Sequence, residues 1–217
     1  LLSQAVALHQ GGRLEQAARM YETILSERPD QFDASHLLGV IAMQEGRLAD
    51  AQRQIKAALV IQPDHPSALI NLTSAYLRDG QLELAAQYAA RVAGLLPNST
   101  DAMINYGTVL HQMGRFREAI VPLEAAHRLN PRSTVICHLL GSCLLKTGDI
   151  GKAVTVFEIA TAVAPADGDG WANLSGALSA QGEHSRAMEC ANRAVELSLD
   201  SSNALAAQAA AQFELGK

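Results

Sequence analysis

Seven glycines stand 34 residues apart along this chain: Gly12, Gly46, Gly80, Gly114, Gly148, Gly182 and Gly216. Five residues after each of the first six comes an alanine: Ala17, Ala51, Ala85, Ala119, Ala153 and Ala187. Seventeen residues after the first five comes a proline: Pro29, Pro63, Pro97, Pro131 and Pro165; the sixth period has Leu199 there. Three residue types held in register over six periods mean one structural unit copied along the chain. Residues 100–133 show that unit most plainly. Met103, Tyr106 and Leu110 form one apolar stripe at helical spacing, with Gly107 on the same side leaving room for a close neighbour. Gly114 stops the helix, because glycine takes the left-handed conformation without a Cβ penalty. A second helix follows with Ala119, Leu123 and Ala126, and Pro131 lies beyond its end.

The spacing predicts helices over 1–10, 14–27, 33–44, 48–61, 67–78, 82–95, 101–112, 116–129, 135–146, 150–163, 169–180, 184–197 and 203–214. Asp30, Asp64, Ser99, Ser133, Asp167 and Ser201 are the expected caps, since their side chains accept from open N–H groups of a first turn. Three departures stand out. Pro122 lies inside a helix, where a kink near Glu118–Pro122 is expected. Gly168 and Gly170 are expected to loosen the start of the helix carrying Trp171. Leu199 in place of proline is expected to leave the last bend less fixed.

Aromatic residues are only 4% of a chain that is 48% hydrophobic, so alanine, leucine and valine must do the packing. That suits closely approaching helices rather than a sheet core. A net charge of −5 with 17 Lys+Arg forms no basic patch and argues against nucleic acid. No apolar run approaches the roughly 18–20 residues of a membrane span, and no signal segment stands at Leu1. Cys137, Cys143 and Cys190 have neither metal-site nor disulfide-framework spacing; they read as small buried hydrophobes, with Cys137 and Cys143 on different faces of one helix. A reducing compartment, the cytoplasm, is the matching expectation.

A 34-residue period with a helix–turn–helix in each copy resembles the tetratricopeptide repeat family. The family's small residue, seven before the glycine, is Gly39, Thr73, Gly107, Gly141, Ser175 and Ala209 here; its large residue, eleven before, is Ser35, Leu69, Met103, Cys137 and Trp171. The resemblance implies an all-α, right-handed superhelix, an α-solenoid of about six helix pairs and a final half repeat. It would be one array over 1–217: a partial repeat 1–31, then 32–65, 66–99, 100–133, 134–167 and 168–201, and a half repeat 202–217.

In that family the first helix of each pair lines the concave wall. The matching side chains include His36, Leu37 and Val40, then Ile70, Asn71 and Arg78, Ile104 and Asn105, His138 and Leu139, and Asn173. Chaperone-binding members clamp a C-terminal carboxylate with basic residues and asparagine. Isoleucine, valine and leucine stand at those positions here, with Arg78 and Lys146 alone near the rim, so the clamp is not expected. Asn71, Asn105 and Asn173 share one position, similar to the asparagine ladder of O-linked N-acetylglucosamine transferases; Leu37 and Leu139 interrupt it. Two readings fit them: a ladder that holds a peptide backbone, or a surface position tolerant of polar groups. His36 and His138, in matching HLLG runs, read as groove residues or as partly exposed structural histidines.

No Gly-rich phosphate loop, HExxH, GxSxG or CxxC is present, and no cofactor or metal is implied. The expected role is therefore a non-enzymatic scaffold whose concave groove binds a peptide or another protein, without nucleic acid or membrane insertion. The alternative is the substrate-recruiting region of a larger bacterial glycosyltransferase or sulfotransferase. The chain starts inside a repeat without methionine and reads as a piece of a longer protein, and its uncapped ends are expected to favour self-association. Ala119→Glu is expected to unfold at least the central repeats. Overpacking of about 1–3 kcal/mol and a buried unpaired charge would combine there. A circular-dichroism melt matching the parent would remove Ala119 from a helix interface.

Overall fold

Each of the first six glycines of the register closes a helix with the same pair of hydrogen bonds. Gly114 N–H donates to the His111 carbonyl at 3.0 Å, and Arg115 N–H donates to Leu110 at 2.9 Å. The same pairs recur at Gly12, Gly46, Gly80, Gly148 and Gly182, all with φ between 71° and 88°. They satisfy carbonyls that a helix end leaves open, and they turn the chain back on itself. Gly216 differs: it stays right-handed at φ −80°, and no returning helix follows it among the described residues.

The computed structural model describes residues 1–198 and 201–216. Leu199 therefore lies outside the described residues. Among these residues there are thirteen helices and no strand: α1 Leu2–Gln10, α2 Leu14–Glu27, α3 Phe32–Gln44, α4 Leu48–Ile61, α5 Pro66–Arg78, α6 Leu82–Leu95, α7 Thr100–Gln112, α8 Phe116–Leu129, α9 Thr134–Thr147, α10 Ile150–Val163, α11 Gly168–Gln181, α12 His184–Leu197 and α13 Ser202–Leu215. The chain divides into two compact units, Leu1–Pro97 and Asn98–Lys217. Within each, successive helix pairs stack as a solenoid.

Every second helix of a pair falls where the sequence placed it, and the first helices from α3 onward start one residue earlier than expected. The caps explain the shift. Ser99, Ser133, Asp167 and Ser201 accept N–H bonds from the next turn, so each helix begins directly after them. At the other two boundaries the cap is not the expected aspartate. Gln31 Oε1 accepts from Asp33 N–H at 2.9 Å, and His65 Nδ1 accepts from Ala68 N–H at 3.4 Å. Asp64 instead takes Arg91, at 2.7 Å.

Packing within a pair rests on two positions. The alanines five after each glycine are all fully buried. The small residue seven before the glycine faces the residue sixteen further on. A Cβ added at Gly39, Gly107 or Gly141 would lie 2.6 Å from the side chain of Ile55, Leu123 or Phe157. Where the first position is Thr73 or Ser175, the register partner is alanine, Ala89 or Ala191, whereas the first pair sets Ala5 against Tyr21. The Thr73 and Ser175 hydroxyls are buried but satisfied, by the Leu69 and Ala187 carbonyls at 2.9 and 2.8 Å.

α8 continues through Pro122, which is buried. The two glycines differ from their sequence reading. Gly168 and Gly170 are sites of close approach rather than looseness: a Cβ would meet Ser198 Oγ at 2.5 Å in the first case and Asp167 Oδ2 at 3.2 Å in the second. Cys137 and Cys143 both enter the core despite their different faces, because α9 is covered on a wide arc. Leu205 and Phe213 of α13 are 47% and 65% exposed.

Gly141→Ala and Gly176→Ala are expected to have opposite signs. The first places a methyl against the Phe157 ring and should cost about 1–3 kcal/mol. The second meets nothing within 4 Å. It should gain about 0.5–1 kcal/mol from the lower flexibility of alanine in a helix. Urea midpoints of the two variants check this.

Candidate functional site

Burial separates the two faces of the first-in-pair helices. In α5, Leu69 and Leu72 are fully buried, while Ile70 and Asn71 beside them are half-buried. The same alternation leaves Leu37 and Val40 of α3, Ile104 of α7 and Leu139 of α9 half-buried. These residues share the helix position that the sequence marked as inward. Not every inward position is spare. His36 and Ala172 are buried, and Leu37 and Leu139 lean on their core clusters.

In the first unit two polar contacts join α3 to α5. Asn71 Nδ2 lies 2.9 Å from His36 Nε2, and Arg78 Nη1 donates to the Met43 carbonyl at 2.6 Å. Arg78 thus caps the end of α3 rather than standing free at a rim. Asn71 commits its amide nitrogen to the histidine and keeps its carbonyl oxygen. His36 also packs against Phe32 and His65, with ring centroids 5.5 and 5.8 Å away. Burial, and then the neighbouring His65, push the His36 pKa down, against a smaller opposing pull from Asp33.

In the second unit the matching histidine meets a different neighbour. His138 Nε2 lies 3.4 Å from Asp167 Oδ2 without forming a hydrogen bond. The residue 29 positions on decides the contrast, being His65 after His36 and Asp167 after His138. Asn105 is exposed and Asn173 half-buried, and neither makes a hydrogen bond among the described residues. His111 Nε2 pairs with Ser142 Oγ at 3.1 Å across α7 and α9.

The three thiols are buried and free, and burial raises their pKa values, that of Cys143 to about 11. Among the described residues no set of three or more His, Cys, Asp or Glu side chains is placed to hold a metal ion, and no helix is long and apolar enough to cross a membrane.

The sequence reading missed a row of hollows on the second-in-pair helices. One lies over α8, α9 and α10, and another, in the same register one repeat later, over α10, α11 and α12. The signal was available: each hollow uses the positions ten, thirteen and fourteen after one glycine and four, seven and eight after the next.

Family models described as tetratricopeptide repeat match residues 8–76 and 110–172, and a second such model matches 168–201. No curated protein matches the sequence. Solved structures of similar fold include YrrB, described as "a TPR protein with an unusual peptide-binding site", with a TM-score of 0.79 at 19% identity over 88% of this chain and 99% of that one. A MamA protein gives 0.73 at 20% identity over 76% of this chain and 91% of its own. The pilF protein of Pseudomonas aeruginosa gives 0.71 at 18% identity over 100% and 96%. At these identities the likeness is one of fold.

The His36 environment makes a pH test. Between its depressed value and the ordinary 6.5, the unfolded chain binds a proton that the folded chain does not. Stability from this group is therefore complete above 6.5 and is lost as pH falls through the folded value. Melts at about pH 7.5 and about pH 5.5 should show a smaller acid-induced loss for His36→Gln than for the parent. Equal losses would mean that His36 does not titrate with unfolding.

Proposed function

The chain belongs to the tetratricopeptide repeat family, and from that premise we propose that it recognises an extended, largely neutral segment of another protein along the exposed faces of its first-in-pair helices, with no chemistry of its own. Family membership, and the peptide-binding site named for the YrrB structure, support a protein-interaction scaffold. The observation that carries the finer reading is the half-burial of apolar side chains in the middle of otherwise buried helices. Val40, Ile70, Ile104 and Leu139 stand where a covering segment would complete their burial. In the first unit the binding face is Leu37, Val40, Ile70 and Asn71, with buried His36 behind it holding Asn71. Arg78 shapes it by holding α3. In the second unit Ile104, Leu139 and His138 supply apolar and aromatic contact, and Asn105 and Asn173 offer amides to a peptide backbone.

The two units are not expected to use their asparagines alike. Asn71 spends one N–H on His36, so it keeps its carbonyl oxygen and one N–H. Asn105 has both groups open, so it is the better anchor. Apolar contacts and neutral amides dominate these faces. Binding should therefore depend only weakly on salt.

The test is capture of a partner, followed by titration of variants at two salt concentrations. Asn105→Ala is expected to weaken binding by about 1 kcal/mol or more, the range of a well-packed contact. Glu83→Ala, on the exposed face of α6, should leave it unchanged. Loss of binding on the α6 change alone, or a steep fall in affinity with salt, would overturn this reading.

A further inference from the structure

The hollow over α8, α9 and α10 differs from its copy one repeat later in a way that bears on function. Its volume is about 400 Å³. That lies within the range of ligand pockets, roughly 300–1,000 Å³. Leu140 and Leu144 of α9 and Val156 of α10 form its apolar lining. Glu124, His127 and Arg128 of α8 and Lys152 and Thr155 of α10 form its rim.

In the copy over α10, α11 and α12, an ion pair spans the mouth: Arg186 Nη2 reaches Glu158 Oε1 at 2.8 Å. The equivalent residues 34 positions earlier are Lys152 and Glu124. Lys152 turns instead to Asp149, the residue that precedes its own helix, at 2.9 Å, so among the described residues no ion pair crosses the first hollow. Arg128 is exposed and makes no ion pair among the described residues. The His127 ring is held from below, its Nδ1 3.9 Å from Cys137 Sγ. Val121, 70% exposed, stands seven residues before Arg128 on the same face of α8. The result is an apolar floor beneath an uncommitted guanidinium, with an exposed aliphatic side chain alongside.

We propose that this hollow is a second docking site, for a partner polypeptide that inserts a bulky apolar side chain and presents the carboxylate of the next residue to Arg128. The charge at the mouth selects that occupant. Arg128 is the basic group of the rim left without an ion pair among the described residues, Glu124 four residues before it is the one acidic group there, and the apolar lining excludes a purely polar ligand. The site is walled by α8 and α10 and floored by Leu140 and Leu144 of α9, and it uses none of the residues assigned above to the first-in-pair faces.

The test uses isotope-labelled protein and two blocked tripeptides, acetyl-Leu-Phe-Asp-amide and acetyl-Leu-Phe-Asn-amide, followed by amide chemical shifts. Shifts are expected to cluster at His127, Leu144, Thr155 and Val156 for both probes, with tighter binding of the aspartate probe. Thr155→Trp, made at an exposed position, should fill the hollow and abolish both responses. Arg128→Glu should weaken the aspartate probe about threefold and spare the asparagine probe, as befits one exposed charge pair. Decanoate is the third probe. Binding of decanoate as strong as that of the aspartate peptide would replace the polypeptide with a small amphiphile and overturn the proposal. So would shifts away from α8–α10, no shifts at millimolar peptide, or equal effects of Arg128→Glu on both peptides.

Discussion

The contact between the small residue of one helix and the side chain sixteen residues later is the tightest point of three helix pairs, at Gly39, Gly107 and Gly141. Where glycine occupies the first position the second is Ile55, Leu123 or Phe157, and no Cβ would fit between them. Where the first is Thr73 or Ser175 the second shrinks to alanine. In these five pairs the two positions trade volume, as close packing of interiors requires; the first pair, with Ala5 against Tyr21, does not follow the trade. The buried alanines five after each glycine hold the other end of the same interface. A chain with so few aromatics depends on this arrangement, since small side chains bury enough surface only when backbones come close.

That interface also decides which side chains remain for function. It consumes one side of each first-in-pair helix and leaves the opposite side half-covered. On the second-in-pair helices it leaves the hollows between neighbours, closed by Arg186–Glu158 in one case and open beside Arg128 in another. Recognition and stability therefore draw on different positions of the same 34-residue unit.

Most of the fold was legible in the sequence because its signals are local and repeated. A glycine that must take positive φ, a serine that caps, and a stripe at helical spacing each act within one turn. Other features turn on which of several neighbours, in sequence or in space, takes a given group. Asp30 and Asp64 looked like caps, but Gln31 and His65 capture the N–H groups. Gly168 and Gly170 looked like loose joints, but Ser198 and Asp167 press against them. His36 and His138 sit in identical HLLG runs, yet one faces a histidine and the other an aspartate at the end of its own repeat. Arg78 looked like a rim charge until its bond to the Met43 carbonyl placed it in the scaffold.

The central claim is that recognition falls on the half-buried faces of the first-in-pair helices. Site-specific photo-crosslinking tests it most directly. A photo-reactive phenylalanine derivative would replace Asn105 in one chain and Glu83 in another, each irradiated with the captured partner. The account expects a crosslink from position 105 to one contiguous stretch of the partner, and none from position 83. A crosslink from position 83 with none from 105 would contradict it.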